Sequence, residues 1–147
     1  MSEENVEIAR RTIALAEEGV RQGDPGAAFD ECVAQGLIAP SLEWKGGSRG
    51  GAAVVGLDDV VGREGYVEFM HRWSEGFDNY AIESEQVIDA GGDRVVATTR
   101  ASGTGKGSRA RVEMRAGMVC TFDAQCVVRI SLFLDPDEAL GAAGLSA

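Results

Sequence analysis

The side chains that could carry chemistry are few and widely spaced. His71 is the only histidine, and the three cysteines (Cys32, Cys120 and Cys126) form no CxxC pair. An imidazole suits general-base work near neutral pH, but His71 lies beside the apolar face of its predicted helix, which favours a solvated position. Cys120 has no histidine in its pattern, which favours a buried, inert thiol over a nucleophile. A zinc site needs more ligands than one histidine can complete, so no metal is predicted.

Two predicted strands near the C-terminal end could line a ligand pocket. Side chains alternate between the two faces of a strand, so Met118 and Cys120 share a face. In the next strand Arg129, Ser131 and Phe133 share one. These residues predict a mostly apolar pocket with a few polar groups, the usual composition of a ligand site. Two alternatives stay open: the side chains close into an ordinary core, or Arg129 pairs with a structural carboxylate instead of anchoring a ligand.

Most of the aromatic content comes from one predicted helix over residues 62–76. Its Tyr66, Met70 and Trp73 recur at i, i+4 and i+7 and therefore share one face. Trp44, from a short strand over residues 42–44, joins this face in the predicted pocket. Tyr66 is the inward hydrogen-bond donor. The alternative is that these side chains are simply core, because aromatic residues bury the most area.

Caps and hydrophobic periodicity predict the elements that position these side chains. A first helix begins at Ser2 and a second at Asp24, a residue that caps helices well when proline follows. The predicted strands cover residues 79–89, 94–101, 109–122 and 126–134, and a last helix opens at Asp135. Three helices followed by a meander of about four strands indicate an α+β fold. The helices pack on one curved antiparallel sheet, in a single domain over residues 1–147.

Two glycine-rich segments have alternative interpretations. Residues 45–56 form either a flap over the mouth of a pocket or a disordered surface loop. Residues 102–108 (SGTGKGS) lack the spacing of a phosphate loop and join two strands, so they are a flexible hairpin end. No cofactor is predicted.

Composition excludes several classes of function. The chain has 147 residues, 44% of them hydrophobic, and a net charge of −10 without a basic cluster. Such a charge repels phosphate backbones and anionic lipid, so neither nucleic acid nor a membrane is an expected partner. No apolar run is long enough to span a bilayer, and the N-terminus does not resemble a signal peptide. An odd number of cysteines fits a reducing compartment, so a cytoplasmic protein is expected.

Several short sequence motifs, spread over nearly the whole chain, resemble those of one family. These motifs are residues 5–8 (NVEI), 21–24 (RQGD), 42–44 (LEW), 62–65 (GREG), 87–96 (VIDAGGDRVV) and 134–145 (LDPDEALGAAGL). They resemble the SnoaL-like proteins of the nuclear transport factor 2 superfamily, whose members include ketosteroid isomerase and polyketide cyclases. The resemblance implies a cone of helices wrapped by a curved sheet, an internal apolar pocket and a homodimer through the sheet.

The same resemblance implies that the family's acid–base residues are lost here. Ketosteroid isomerase chemistry needs an Asp base, a Tyr and a protonated Asp. The protonated-Asp position falls at or near Met118, and the base position falls in residues 45–47 (KGG). Ile13 and Ala16 fill aromatic positions of the first helix, and Ser131 fills an acidic position of the last strand.

The leading hypothesis is therefore a homodimer that binds a hydrophobic small molecule. One alternative is an isomerase, cyclase or hydrolase with a divergent polar set, Tyr66, Arg129 and Ser131. A second is a non-catalytic interaction dimer with a filled cone. A perturbed titratable group in an open cavity distinguishes the enzyme from the binding protein.

Overall fold

The computed structural model describes residues 2–45 and 59–145, and the glycine-rich segment after Lys45 lies outside these ranges. The helices and the longer strands follow in the predicted order, and one two-residue strand before the third helix was not predicted. They are α1 (Ser2–Gln22), α2 (Pro25–Ala34), β1 (Ile38–Lys45), β2 (Val60–Val61), α3 (Gly62–Ser74), β3 (Phe77–Asp89), β4 (Arg94–Gly105), β5 (Arg111–Asp123), β6 (Cys126–Phe133) and α4 (Pro136–Ala142). The α+β class predicted from the sequence is confirmed.

The predicted caps start α2 and α4. Asp24 accepts a hydrogen bond from the Ala27 backbone N–H at 3.1 Å, and Asp135 accepts one from the Asp137 N–H at 2.9 Å. Proline follows each cap, where its missing N–H costs nothing. Both helix starts are thus fixed by local sequence.

The six strands form one curved mixed sheet in the order β2-β1-β6-β5-β4-β3. Only the pair β1–β6 is parallel, and the other pairs are antiparallel. The prediction of a purely antiparallel sheet is therefore wrong at this pair. The meander β3–β6 is antiparallel as predicted, but its last strand returns beside β1 in the same direction. The residue pattern of β1 does not indicate whether β6 runs parallel or antiparallel to it.

Strand β4 is longer than the sequence predicts. Residues 102–105, predicted as part of a flexible hairpin end, continue the strand. Ser102 and Thr104 pair with both β3 and β5, whereas Gly103 pairs with β5 and Gly105 with β3. Ladder hydrogen bonds to two neighbouring strands hold this backbone extended despite its glycines.

The sheet separates two apolar cores. The larger core lies between α1–α3 and what we call the inner face of the sheet, and it contains Phe69 and Val127. On the opposite, outer face, α4 packs against Val96 and Val119. The first core encloses the candidate site, while the second fixes the C-terminal helix to the sheet.

Gly117 allows α4 to approach β5 closely. A Cβ atom at this position would lie 2.5 Å from the Ala139 Cβ and 3.1 Å from the Pro136 Cα. Because Pro136 meets it with backbone, Gly117→Val must displace the helix. We expect a loss of about 1–3 kcal/mol in the free energy of unfolding, measured by urea denaturation.

The matched control for that prediction is Gly141→Ala in α4 itself. Apart from its chain neighbours and the backbone of its own helix, no atom of the described residues lies within 4 Å of a Cβ placed at Gly141, and alanine favours a helix over glycine by roughly 1 kcal/mol. This variant should be as stable as the parent or more stable. Equal stability of the Gly117 and Gly141 variants would contradict the close packing of α4.

Candidate functional site

A cavity of about 110 Å³ lies between α1–α3 and the inner face of the sheet. Its wall is almost entirely apolar. Five of the residues predicted for a pocket line it: Trp44, Tyr66, Met70, Trp73 and Met118. Whether they contact a ligand stays a prediction.

Aromatic side chains are concentrated at this cavity. Both tryptophans, both tyrosines and two of the five phenylalanines line it. The rings contact one another: the centroids of Trp44 and Tyr66 are 5.4 Å apart, and those of Trp44 and Phe69 are 5.2 Å apart. The Phe69 and Trp73 rings stack at 5.7 Å. A connected group of rings therefore forms one side of the wall.

The helix spacing explains why these rings converge. Tyr66, Phe69, Met70 and Trp73 lie on the face of α3 that covers the sheet, as their periodicity predicts. Of the four, Trp73 is only partly buried, because it lies near the end of the helix.

The two tyrosines are the main neutral hydrogen-bonding groups on the wall. Burial raises the pKa of Tyr66, and the neighbouring Cys32 and Tyr80 raise it further. Burial also raises the pKa of Tyr80, opposed by a hydrogen bond from the Trp73 side chain. Both hydroxyls are therefore protonated donors at neutral pH. The Trp44 Nε1 is buried without a hydrogen-bond partner among the described residues.

Glu17 is the one charged residue among the described residues that line the cavity. It lies on α1, one turn after Ile13, and its Oε1 accepts a hydrogen bond from the Ser84 backbone N–H at 3.0 Å. This contact ties α1 to β3. Neither Glu17 nor Tyr80 was predicted as a site residue from the sequence.

The prediction of which β6 side chains face the cavity is wrong from Arg129 onwards, because the strand contains a bulge. Phe122 of β5 pairs with Val127, but Thr121 pairs with Arg129, so Val128 is an extra residue in β6. One extra residue reverses the alternation that follows. Ile130 and Leu132 therefore face the cavity.

Arg129, Ser131 and Phe133 consequently lie away from the cavity. Arg129 is exposed and donates to Glu43 at 3.1 Å, so it pairs with a carboxylate and does not line the cavity. Phe133 packs in the core beneath α4. Ser131 pairs with Val119 on the same outer side of the sheet.

Cys120 faces inward but is not part of the cavity wall. It is buried in the main core, and burial raises the pKa of its thiol to about 12. Such a thiol is protonated and inert at neutral pH. Cys32 does line the cavity, and burial raises its thiol pKa to about 11. His71 is exposed, as predicted.

The outer face carries charged side chains in cross-strand pairs. Glu85 of β3 accepts from Arg115 at 2.8 Å and from Arg100 at 3.1 Å. These two guanidinium groups hold the pKa of the Glu85 carboxyl below its usual value. The charges of this region are structural, and they lie on the opposite side of the sheet from the cavity.

Helices that cover a curved sheet and enclose an apolar cavity define a nuclear transport factor 2-like fold. The chain belongs to the SnoaL-like domain family, whose family model matches residues 14–130. No curated protein matches the sequence significantly.

Solved structures show the same fold. The chain is similar to a nuclear transport factor 2-like protein from Burkholderia thailandensis E264, with 26% identity, 95% of this chain and 96% of that chain covered, and a TM-score of 0.64. It is similar to TerC co-crystallised with polyporic acid, with 20% identity and a TM-score of 0.65. The match covers 90% of this chain and 92% of TerC. A third similar structure, from Catenulispora acidiphila DSM 44928, has a ketosteroid isomerase-like protein fold and a bound trimethylamine. This structure is 14% identical in sequence, the match covers 91% of this chain and 92% of that chain, and the TM-score is 0.64.

Two further observations concern possible partners. None of the described helices is both long enough and apolar enough to cross a membrane. Within residues 2–45 and 59–145, no group of three or more His, Cys, Asp or Glu side chains could hold a metal ion.

Proposed function

We propose that this protein binds a small hydrophobic molecule in the cavity beneath α3. The observation that carries the proposal is the cavity itself, about 110 Å³ of apolar space lined by a connected group of aromatic rings. An apolar cavity of about 150 Å³ stays dry and binds benzene or xenon. A molecule no larger than a single ring therefore matches the space without movement of the wall.

The acid–base machinery of ketosteroid isomerase is not expected to act here. Met118 lines the cavity and has no proton to donate, while Ile13 and Ala16 line it from α1. The divergent catalytic set of Tyr66, Arg129 and Ser131 is not assembled, because only Tyr66 lies at the cavity. Binding without this chemistry is the function that the side chains support.

The bound molecules of similar structures are consistent with this proposal. TerC was crystallised with polyporic acid, and the protein from Catenulispora acidiphila holds trimethylamine. At identities of 20% and 14% they support a fold that can hold small molecules, and they do not identify the ligand of this chain.

Filling the cavity should abolish binding. Ala16 lines the cavity, whereas Ala14 lies exposed on the same helix. We expect benzene, at tenfold excess over its Kd, to raise the Tm of the parent by about 3–6 °C. Ala16→Leu should lose this shift, since its added carbons occupy the space, and Ala14→Leu should keep it. Differential scanning fluorimetry measures both.

Two outcomes would contradict the binding proposal. One is a parent protein whose Tm does not respond to benzene or to xenon under pressure. The other is an equal response of the Ala16 and Ala14 variants, which would place the ligand elsewhere. Native mass spectrometry of freshly purified protein is the complementary measurement, because a retained non-covalent mass would supply a ligand to identify.

We also propose a homodimer formed through the sheet, as the family resemblance implies. The region around Glu85, Arg100 and Arg115 is the part of the outer face available for such contact, since α4 packs over Gly117 instead. Native mass spectrometry should show twice the chain mass of 15.5 kDa. A monomer at all concentrations would contradict this assembly.

A cytoplasmic location is proposed from the thiols. Cys32, Cys120 and Cys126 are all free, as is usual for proteins of a reducing compartment. Cell fractionation tests the location, and recovery of the protein outside the cytoplasm would contradict it.

A further inference from the structure

The cavity wall carries one negative charge and no positive charge. Among the described residues that line it, Glu17 is the only charged one, and none is Lys, Arg or His. Glu17 is half-buried and forms no salt bridge with any described residue, its assigned contact being the Ser84 backbone N–H. A half-buried carboxylate beside apolar space lacks the counter-charge that such groups normally have.

The rest of the wall suits a cation without N–H groups. Faces of Trp, Tyr and Phe rings attract cations through their quadrupoles, and clusters of such rings recognise alkylated ammonium groups. Trp44 contacts both Tyr66 and Phe69, and Trp73 stacks on Phe69. A metal ion or a primary ammonium needs many oxygen ligands or acceptors, which this wall does not offer. An alkylated ammonium presents methyl groups instead and loses little hydration.

We propose that the ligand of this cavity is a small alkylated ammonium compound, held by the aromatic rings and neutralised by Glu17. This inference rests on the proposed function, because it names the class of molecule that the cavity binds. Tetramethylammonium is a compact ion with a volume similar to that of benzene, so it suits a cavity of about 110 Å³. The chain's net charge of −10 also raises the local concentration of cations.

The test compares tetramethylammonium with tert-butanol, a neutral molecule of nearly the same shape. Isothermal titration calorimetry at constant ionic strength gives both affinities. For the parent protein we expect tetramethylammonium to bind at least 10-fold more tightly, the ratio that one favourable charge interaction gives in a partly desolvated site.

The variant Glu17→Gln tests the contribution of the Glu17 charge to cation binding. Glutamine keeps an Oε1 that accepts the Ser84 N–H, so the contact between α1 and β3 is retained. We expect this variant to bind both compounds with similar affinity. Glu18→Gln is the matched control, because Glu18 is the next residue and pairs with Arg21 at the surface. It removes the same net charge and should retain the preference for the cation.

Each outcome has a distinct meaning. If tert-butanol binds as tightly as tetramethylammonium to the parent, the cation inference is overturned while the apolar binding site stands. If both glutamine variants lose the preference equally, the effect comes from net charge and the role of Glu17 is overturned. If neither compound nor benzene binds the parent, the inference and the proposed function both fail.

Discussion

Replacing Phe69 with alanine is expected to lower the free energy of unfolding by about 3–5 kcal/mol. The side chain is only 2% exposed and is among the largest fully buried ones. Its ring lies between those of Trp44 and Trp73, at 5.2 Å and 5.7 Å. The alanine variant therefore loses packing on two sides and leaves a void next to the existing cavity. Urea denaturation, with parent and variant at one pH, measures the loss.

The larger cavity of the Phe69→Ala variant should also change its response to benzene. Benzene should restore more stability to Phe69→Ala than it adds to the parent, because the void provides a further apolar binding volume. Phe77→Ala is the control, since Phe77 is half-buried, stacks on Tyr80 and does not line the cavity. It should cost less than the Phe69 variant and show no added response to benzene. A loss below about 1 kcal/mol for Phe69→Ala would mean that the core around Trp44 is loosely packed.

Local sequence predicted the helical half of the site well. The face of α3 that carries Tyr66 and Met70 follows directly from helical periodicity, since three- and four-residue steps fix direction within one element. The caps Asp24 and Asp135 fix where two helices start for the same reason. These features depend only on residues a few positions apart.

The strand half of the site could not be predicted in the same way. Side chains in a strand alternate strictly, so the extra Val128 exchanges the faces of all residues that follow it. No glycine or proline at positions 127–129 marks this bulge in the sequence. The pairing of β5 with β6 shows it, and pairing is a property of two strands. Arg129 therefore lies on the outer face, although strict alternation assigned it to the pocket.

Among the cavity residues that were not predicted from the sequence, Glu17 and Tyr80 were missed for different reasons. Glu17 lies at i+4 from Ile13 and so continues the helical stripe, but a charged residue is more often found on the solvated face of a helix. Tyr80 had no such signal, because the pairing of β3 with β4 shifts between Asp78 and Ala81. Asn79, within that shift, has a φ of 55°, and the local alternation is lost there.

Placing a carboxyl group at Met118 is expected to make stability strongly dependent on pH. Met118 lines the apolar cavity, and burial in such surroundings raises the pKa of a carboxyl by up to about 3–5 units. Met118→Asp should therefore be up to about 4 kcal/mol less stable than Met118→Asn at pH 7, because the unfolded carboxyl is about 3 pH units above its pKa there. The asparagine variant has a similar shape and cannot ionise, so it accounts for lost packing and added polarity.

The sign of the pH dependence follows from linkage. The folded pKa of the new carboxyl is raised, so below its unfolded value of about 3.9 both states are protonated and no ionisation penalty remains. As the pH rises from about 4 towards the folded pKa, the unfolded state ionises first and the free energy of unfolding falls. Urea denaturation between pH 4 and pH 8 should show the two variants diverging steadily. Parallel curves would mean that water reaches Met118, because a solvated carboxyl keeps its ordinary pKa. The cavity would then be wet, and a dry site for a hydrophobic ligand would be excluded.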